Sequence, residues 1–167
     1  MIKDVVVLPD ERLFQVSSPI LNHEFGTLEL QNLINDLIDT KMYKNGVGIA
    51  AVQIGILKRV AVIGFTINNP RYKNIPNQED FVIINPEITP LTKNLIEMDE
   101  GCLSVPTNRG TTSRFEEISY KYYNQFGDLI NGTTGGFLAR VFQHEVDHMN
   151  GIIFHSRVLD KLSIRSI

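Results

Sequence analysis

Apolar positions recur along this chain with two periods, and the changes of period mark its elements. In "LELQNLINDLIDTKMYKNG", Leu30, Leu33, Ile34, Leu37 and Ile38 fall at i, i+3, i+4, i+7 and i+8, the spacing of a helix with one apolar stripe. Lys41 and Lys44 fall in its last turn and Gly46 follows, which predicts the stop. Helical spacing returns in "TTGGFLARVFQHEVDHMNG", with Thr133 or Thr134 as candidate cap and Gly151 as candidate end. Between the two, "KRVAVIGFT", "FVIINPEIT" and "NLIEMDEG" read as strands. "EEISYKYYNQFGDLING" alternates around Ile118, Tyr120 and Tyr122, and "FGD" supplies a hairpin turn. The polar, proline-broken "INNPRYKNIPNQED" predicts a loop of about a dozen residues, a length common in functional loops. The order helix, strands, helix predicts an α+β fold. Its antiparallel or mixed strands pack around a central helix carrying residues 142–151, beside the N-terminal amphipathic helix, in one domain spanning 1–167.

Composition narrows the classes. With 43% hydrophobic and 21% charged residues in 167, the chain is ordinary for a globular protein. A net charge of −3 gives no general pull toward nucleic acid or an anionic membrane. No apolar run approaches the roughly 20 residues of a spanning helix. The start, "MIKDVVVLPDERL", is interrupted by Pro9 and Asp10 and lacks the Arg/Ser richness of a transit peptide. The expected compartment is the cytoplasm, although a processed organellar protein would read the same. Cys102 is the single cysteine, so no intrachain disulfide forms. Taken alone, it reads as readily as a small buried hydrophobe.

The strongest chemical signal is "FQHEVDHMNG". Four residues of helix advance about 6 Å and turn about 400°, so His144 and His148 project from one face. Two imidazoles so placed can share a cation at about 2.0–2.1 Å per nitrogen. Glu145 is offset by about 100°, badly aimed as a ligand but well placed to hold and deprotonate a water. A third ligand is needed. His155 misses the extended pattern His-Glu-x-x-His-x-x-Gly-x-x-His by one residue, because Phe154 holds the ligand position and no methionine follows Met149. His155 is expected instead to cap or hydrogen-bond near the helix end. His23 has no supporting spacing. Cys102, in "EGCLSVP" between a strand ending near Met98 and an extended Pro106 segment, is the better candidate. A thiolate and two imidazoles leave the fourth tetrahedral position to water, the catalytic rather than the structural arrangement.

Three segments in order, Gly46 to Gln53, Glu100 to Ser104 and His144 to His148, resemble the peptide deformylase family. That family is marked by Gly-x-Gly-x-Ala-Ala-x-Gln, Glu-Gly-Cys-x-Ser and His-Glu-x-Asp-His. The likeness runs from "LPDERL" to about Leu159. It implies removal of the formyl group from the N-terminal methionine of newly made proteins, with release of formate. It implies Cys102, His144 and His148 as metal ligands, Glu145 as catalytic carboxylate, and the Gln53 amide and Leu103 N–H as oxyanion donors. Val47 and Gly48 would pair with the substrate backbone, and Glu100 would stand in the pocket wall. The implied cofactor is one divalent ion, natively Fe2+, with Zn2+, Ni2+ or Co2+ acceptable to the same donors. Such an ion lowers the pKa of its water from about 15.7 toward about 7, and the resulting hydroxide attacks the formyl carbon. The implied partners are N-formylmethionyl nascent peptides and a transient contact with the ribosome, although the tail "DKLSIRSI" is too short for the long terminal helix of some members.

Some residues depart from the family pattern. Arg140 lies one turn before His144, where well-known members have an apolar pocket; it is expected to snorkel outward or to line the rim. Phe137, Leu138 and Val141 are apolar enough to build that pocket. Arg109 and Arg114 are candidates to pair with Asp147 or Glu116. The 67–80 loop is longer than some members need. Two rival readings stand beside the first: a metallopeptidase cutting internal bonds, and an inactive or structural metal-binding relative. Intact Glu145 and Gln53 argue against the latter, since a structural site needs neither.

Overall fold

The computed structural model describes residues 1–158 and 160–167; Leu159, the expected end of the family likeness, lies outside them. The first helix, α1 (Leu28–Tyr43), starts where the Thr27 hydroxyl accepts the Leu30 N–H at 3.3 Å. Its stripe does what the spacing predicts. Leu30, Ile34 and Leu37 are buried against β1 (Gly48–Ala50), β2 (Val60–Phe65) and β3 (Gln78–Pro90), meeting Ile49, Val60, Val62, Val82 and Ile84. Lys41 does more than end the helix. It is buried, and its ammonium donates to the Gly64 carbonyl at 3.0 Å and pairs with Asp80 at 2.9 Å. That buried cation ties the helix end to the strand it packs on.

The remaining strands are β4 (Leu95–Cys102), β5 (Val105–Phe115), β6 (Glu117–Tyr123), β7 (Leu129–Gly135) and β8 (Arg165–Ser166). They form a sheet ordered β1-β2-β3-β6-β7 and a second ordered β4-β5-β8, with every strand pairing antiparallel. β3 is longer than its apolar run, because its polar start continues the pairing with β2 as far as Gln78. β4 does not end near Met98; it runs on to Cys102. β5 was legible only as an extended segment around Pro106. Its inward positions include Arg109, Thr112 and Arg114, so no apolar alternation marks it.

The second helix, α2 (Gly136–Met149), follows β7 without a break. Thr133 and Thr134 do not cap it; both are committed to β7, opposite Ser119 and Ile118. Gly136, at φ +62°, turns the chain instead, a conformation that suits glycine. At the far end the Asn150 and Gly151 amides close the helix on the Asp147 and His148 carbonyls. His155 takes no part in that closure. Its ring packs 4.5 Å from that of Phe154, and its Nδ1 is buried without a hydrogen-bond partner. One face of α2 meets the five-stranded sheet through Phe142, whose ring stacks on Tyr120 at 4.9 Å. Its other side meets β5, where the Gln143 amide brackets the Phe115 backbone, accepting its N–H at 3.0 Å and donating to its carbonyl at 2.9 Å. Among the described residues, no helix is long and apolar enough to cross a membrane.

Candidate metal centre and active site

Cys102 is the last residue of β4, at a register shift just before the Leu103–Ser104 turn into β5. The backbone beside it is held from the 66–77 loop. The Tyr72 hydroxyl accepts the Gly101 N–H at 3.1 Å and donates to the Gly101 carbonyl at 3.3 Å. This fixes the thiol opposite α2. Cys102 Sγ lies 3.3 Å from His148 Nε2, which lies 3.1 Å from His144 Nε2. The three donors all fall within 4.8 Å of one another. An ion held tetrahedrally at about 2.0–2.1 Å from nitrogen and about 2.3 Å from sulfur spaces its donors about 3.3–3.6 Å apart, so both short spacings fit to within a few tenths. Donor chemistry and geometry therefore suit one divalent cation.

The electrostatics point the same way. Burial pushes the Cys102 thiol up, but the His148 and His144 rings outweigh it and hold it well below the ordinary thiol range. Burial likewise opposes a charged His144, yet Cys102 and Glu100 raise it well above its ordinary value. The thiolate at Cys102 is the negative charge that a bound cation would neutralise.

Glu100 anchors His144 from behind, accepting from its Nδ1. The same buried carboxylate accepts from Thr112 Oγ1 at 2.6 Å, Arg114 Nη2 at 2.7 Å and Arg140 Nη1 at 2.9 Å. Burial works against its charge, but the His144 hydrogen bond and the His144 and Arg114 charges keep it well below the ordinary carboxylate range. Arg114 also pairs with Asp147, which pairs with Arg157 at 2.8 Å. Asp147 is thus one of the expected partners of Arg114; Glu116 is not. Arg109 pairs elsewhere, with Asp99 at 2.7 Å. Arg140 does not snorkel outward. It is buried and turned inward onto Glu100, because that carboxylate repays its desolvation.

Glu145 is buried with one carboxylate oxygen unpartnered, and burial raises it above the ordinary carboxylate range. The backbone at Gly48 lies so close that a Cβ there would overlap this carboxylate. Gln53 is oriented at both ends. Its oxygen accepts the Ala50 N–H at 2.9 Å; its nitrogen reaches Ser104 Oγ at 3.1 Å and Cys102 Sγ at 3.6 Å. One cavity is lined by Val47, Gly48, Gln53, Glu100, Cys102, Leu103, His144 and Glu145, with Phe137, Arg140 and Val141 along its side. His148 stands behind its wall, and Leu138 packs into the core instead. Thr112 and Tyr72 escaped the sequence reading, the first in a strand without alternation and the second in a loop without a period. Ser104 lies inside the quoted Glu-Gly-Cys-x-Ser motif, and its contact with Gln53 was the findable one.

The comparisons agree with one another. A family model described as polypeptide deformylase matches residues 2–163. The chain is 40% identical over 160 residues to peptide deformylase 2 of Pseudomonas putida, covering 96% of this chain and 89% of that one. It is 42% identical to peptide deformylase 2 of Ralstonia nicotianae over the same shares. Among solved structures, the class I type b peptide deformylase of Acinetobacter baumannii bound to Met-Ala-Ser superposes with a TM-score of 0.90 at 37% identity, covering 95% of this chain and 99% of that one. A peptide deformylase from Legionella pneumophila gives 0.83 at 39%, covering 98% and 89%. With almost its whole length matched, the chain, which draws a thiol and two imidazoles together, belongs to the polypeptide deformylase family of hydrolases.

Proposed function

We propose that this chain removes the formyl group from N-formylmethionyl nascent peptides, working in the cytoplasm as one domain built around α2, with only transient contact with the ribosome. The observation that carries this reading is the convergence of Cys102, His144 and His148 beside the buried, unpartnered oxygen of Glu145. A divalent ion on those donors, which we take to be ferrous iron although zinc, nickel or cobalt suit the same atoms, would supply a Lewis acid and a water acidified to about pKa 7. The rest falls to the protein. Glu145 takes the proton of the attacking water and returns it to the departing amine, a role that its raised pKa favours. Glu100 accepts the hydrogen bond from His144 Nδ1–H, which leaves Nε2 free as a donor atom and fixes the ring. As the water adds, charge gathers on the formyl oxygen. Gln53 Nε2 and the Leu103 N–H are assigned to it, each donor worth about 2.7–4 kcal/mol of transition-state stabilisation.

β1 stands at the edge of the five-stranded sheet, so a substrate can lie beside Val47 and Gly48 as an added extended strand. The methionine side chain then enters the cavity between Phe137, Val141 and the Glu100 wall. The test is anaerobic purification, elemental analysis, and assay of formyl-Met-Ala-Ser beside a blocked internal peptide. One equivalent of divalent metal and formate release are expected. Cleavage of the internal peptide without formate would overturn the reading in favour of a metallopeptidase.

A further inference from the structure

The 66–77 loop contributes a second side chain to the substrate cavity besides Tyr72. Arg71 lines it, half-buried, next to the Gly101 backbone that Tyr72 grips. The loop is fastened around it. Tyr72 is buried, the Arg109 guanidinium lies 4.6 Å over its ring, and the Arg71 N–H donates to Asn69 Oδ1 at 2.9 Å. The neighbouring guanidiniums all have carboxylates: Arg109 has Asp99, Arg114 has Glu100 and Asp147, and Arg140 has Glu100. Arg71 differs. Among the described residues its guanidinium has neither an ion-pair partner nor a hydrogen-bond acceptor, although burial already strips part of its hydration. A partly desolvated cation on a substrate cavity, left without a protein acceptor, is placed to receive an anion from the substrate.

Which anion follows from the strand geometry, and here the argument rests on the reading above that the peptide lies extended along β1. Side chains of an extended chain alternate, so the first and third residues share a face while the second points away. The first fills the cavity. The third lies about 7 Å further along the same face, at the rim. We propose that Arg71 selects formylated peptides whose third residue is Asp or Glu, pairing with that side-chain carboxylate. A short peptide ending at the third residue offers a terminal carboxylate of the same chemistry, so the test must separate the two sources.

The experiment measures kcat/KM by formate release on C-terminally amidated formyl-Met-Ala-Glu, formyl-Met-Ala-Gln, formyl-Met-Ala-Lys and formyl-Met-Glu-Ala. Glu at the third residue is expected to exceed Gln by about fivefold, with Lys lowest, and the gap is expected to narrow as salt rises. Arg71→Ala brings the Glu-to-Gln ratio close to one, and Arg71→Glu inverts it in favour of Lys. Each ratio is taken within one preparation, so a variant that folds less completely still reports it. Equal rates for Glu and Gln in the parent, an unchanged ratio in Arg71→Ala, or a larger advantage for Glu at the second residue would each overturn the assignment. So would a free-acid advantage of formyl-Met-Ala-Ser over its amide with no Glu preference, since Arg71 would then read chain ends. Failure to release formate from any of these peptides would remove the deformylase reading itself, and this inference with it.

Discussion

Along α1 the buried positions are mostly Leu30, Ile34 and Leu37; along α2 they include Arg140, Gln143, Glu145, Asp147 and His148 beside Val141, Phe142 and Met149. Apolar side chains need only shape to exclude water, whereas each buried polar group needs its own partner. α1 therefore takes its place by fitting onto β1, β2 and β3. α2 takes its place through named acceptors and donors: Glu100 for His144 and Arg140, Arg114 for Asp147, and the Phe115 backbone for Gln143. Apart from Lys41, the first arrangement tolerates apolar side chains of similar volume. The second specifies chemistry, and a helix with that much polarity inside is the one to search for a reaction.

Four substitutions separate packing from chemistry. The largest effect is expected in α2 with no loss of structure: Glu145→Gln lowers kcat by about 10²–10⁴-fold while metal content stays the same, checked by formate release and elemental analysis. Metal lost together with activity would put Glu145 among the donors and blur the distinction. Next comes Arg114→Met, which leaves Glu100 and Asp147 short of a cation and should cost about 3–5 kcal/mol in denaturant unfolding. Because the Glu100 pKa is depressed in the folded state, its contribution is present above the ordinary carboxylate range and is lost as pH falls through the depressed value. Melting temperatures of the parent should therefore hold from pH 7 to about 5 and fall below that, while in Arg114→Met the fall starts in the same range but is smaller and levels off at higher pH.

In α1 the expected losses concern stability alone. Leu37→Ala leaves a cavity and should cost about 2–5 kcal/mol, with kcat per folded, metal-loaded molecule unchanged. A changed kcat would mean that α1 takes part in positioning the site. The smallest effect is Thr27→Ala, which removes the α1 cap at about 1 kcal/mol, or about 2–4 °C in Tm.

The same contrast explains what could be read in advance. The apolar stripe of α1 was visible, because it is written in apolar spacing; its Thr27 cap and the buried Lys41 were not. The candidate metal donors were visible, because a single cysteine and two histidines four apart leave few alternatives. β5 was hidden as a strand, since Arg109, Thr112 and Arg114 face inward where apolar residues would have announced it. Arg140 was read only in part: it borders the cavity, as one expectation had it, but it points inward onto Glu100 rather than snorkelling out. A lone arginine on a helix face reads as solvated until the carboxylate that receives it, supplied by a different strand, is in view. Thr133 and Thr134 carry the right side chains for a cap, but their place in β7 was decided by pairing with β6, which local sequence does not encode.

Gly48 and Glu145 occupy what is in effect one side-chain slot shared by a strand and a helix. Substitutions at the two positions are therefore expected to couple. Alanine at position 48 would push against the Glu145 carboxylate unless position 145 were shortened, and shortening it would remove the proposed proton carrier. A library randomised at both codons and selected for activity is therefore expected to return the parental combination most often.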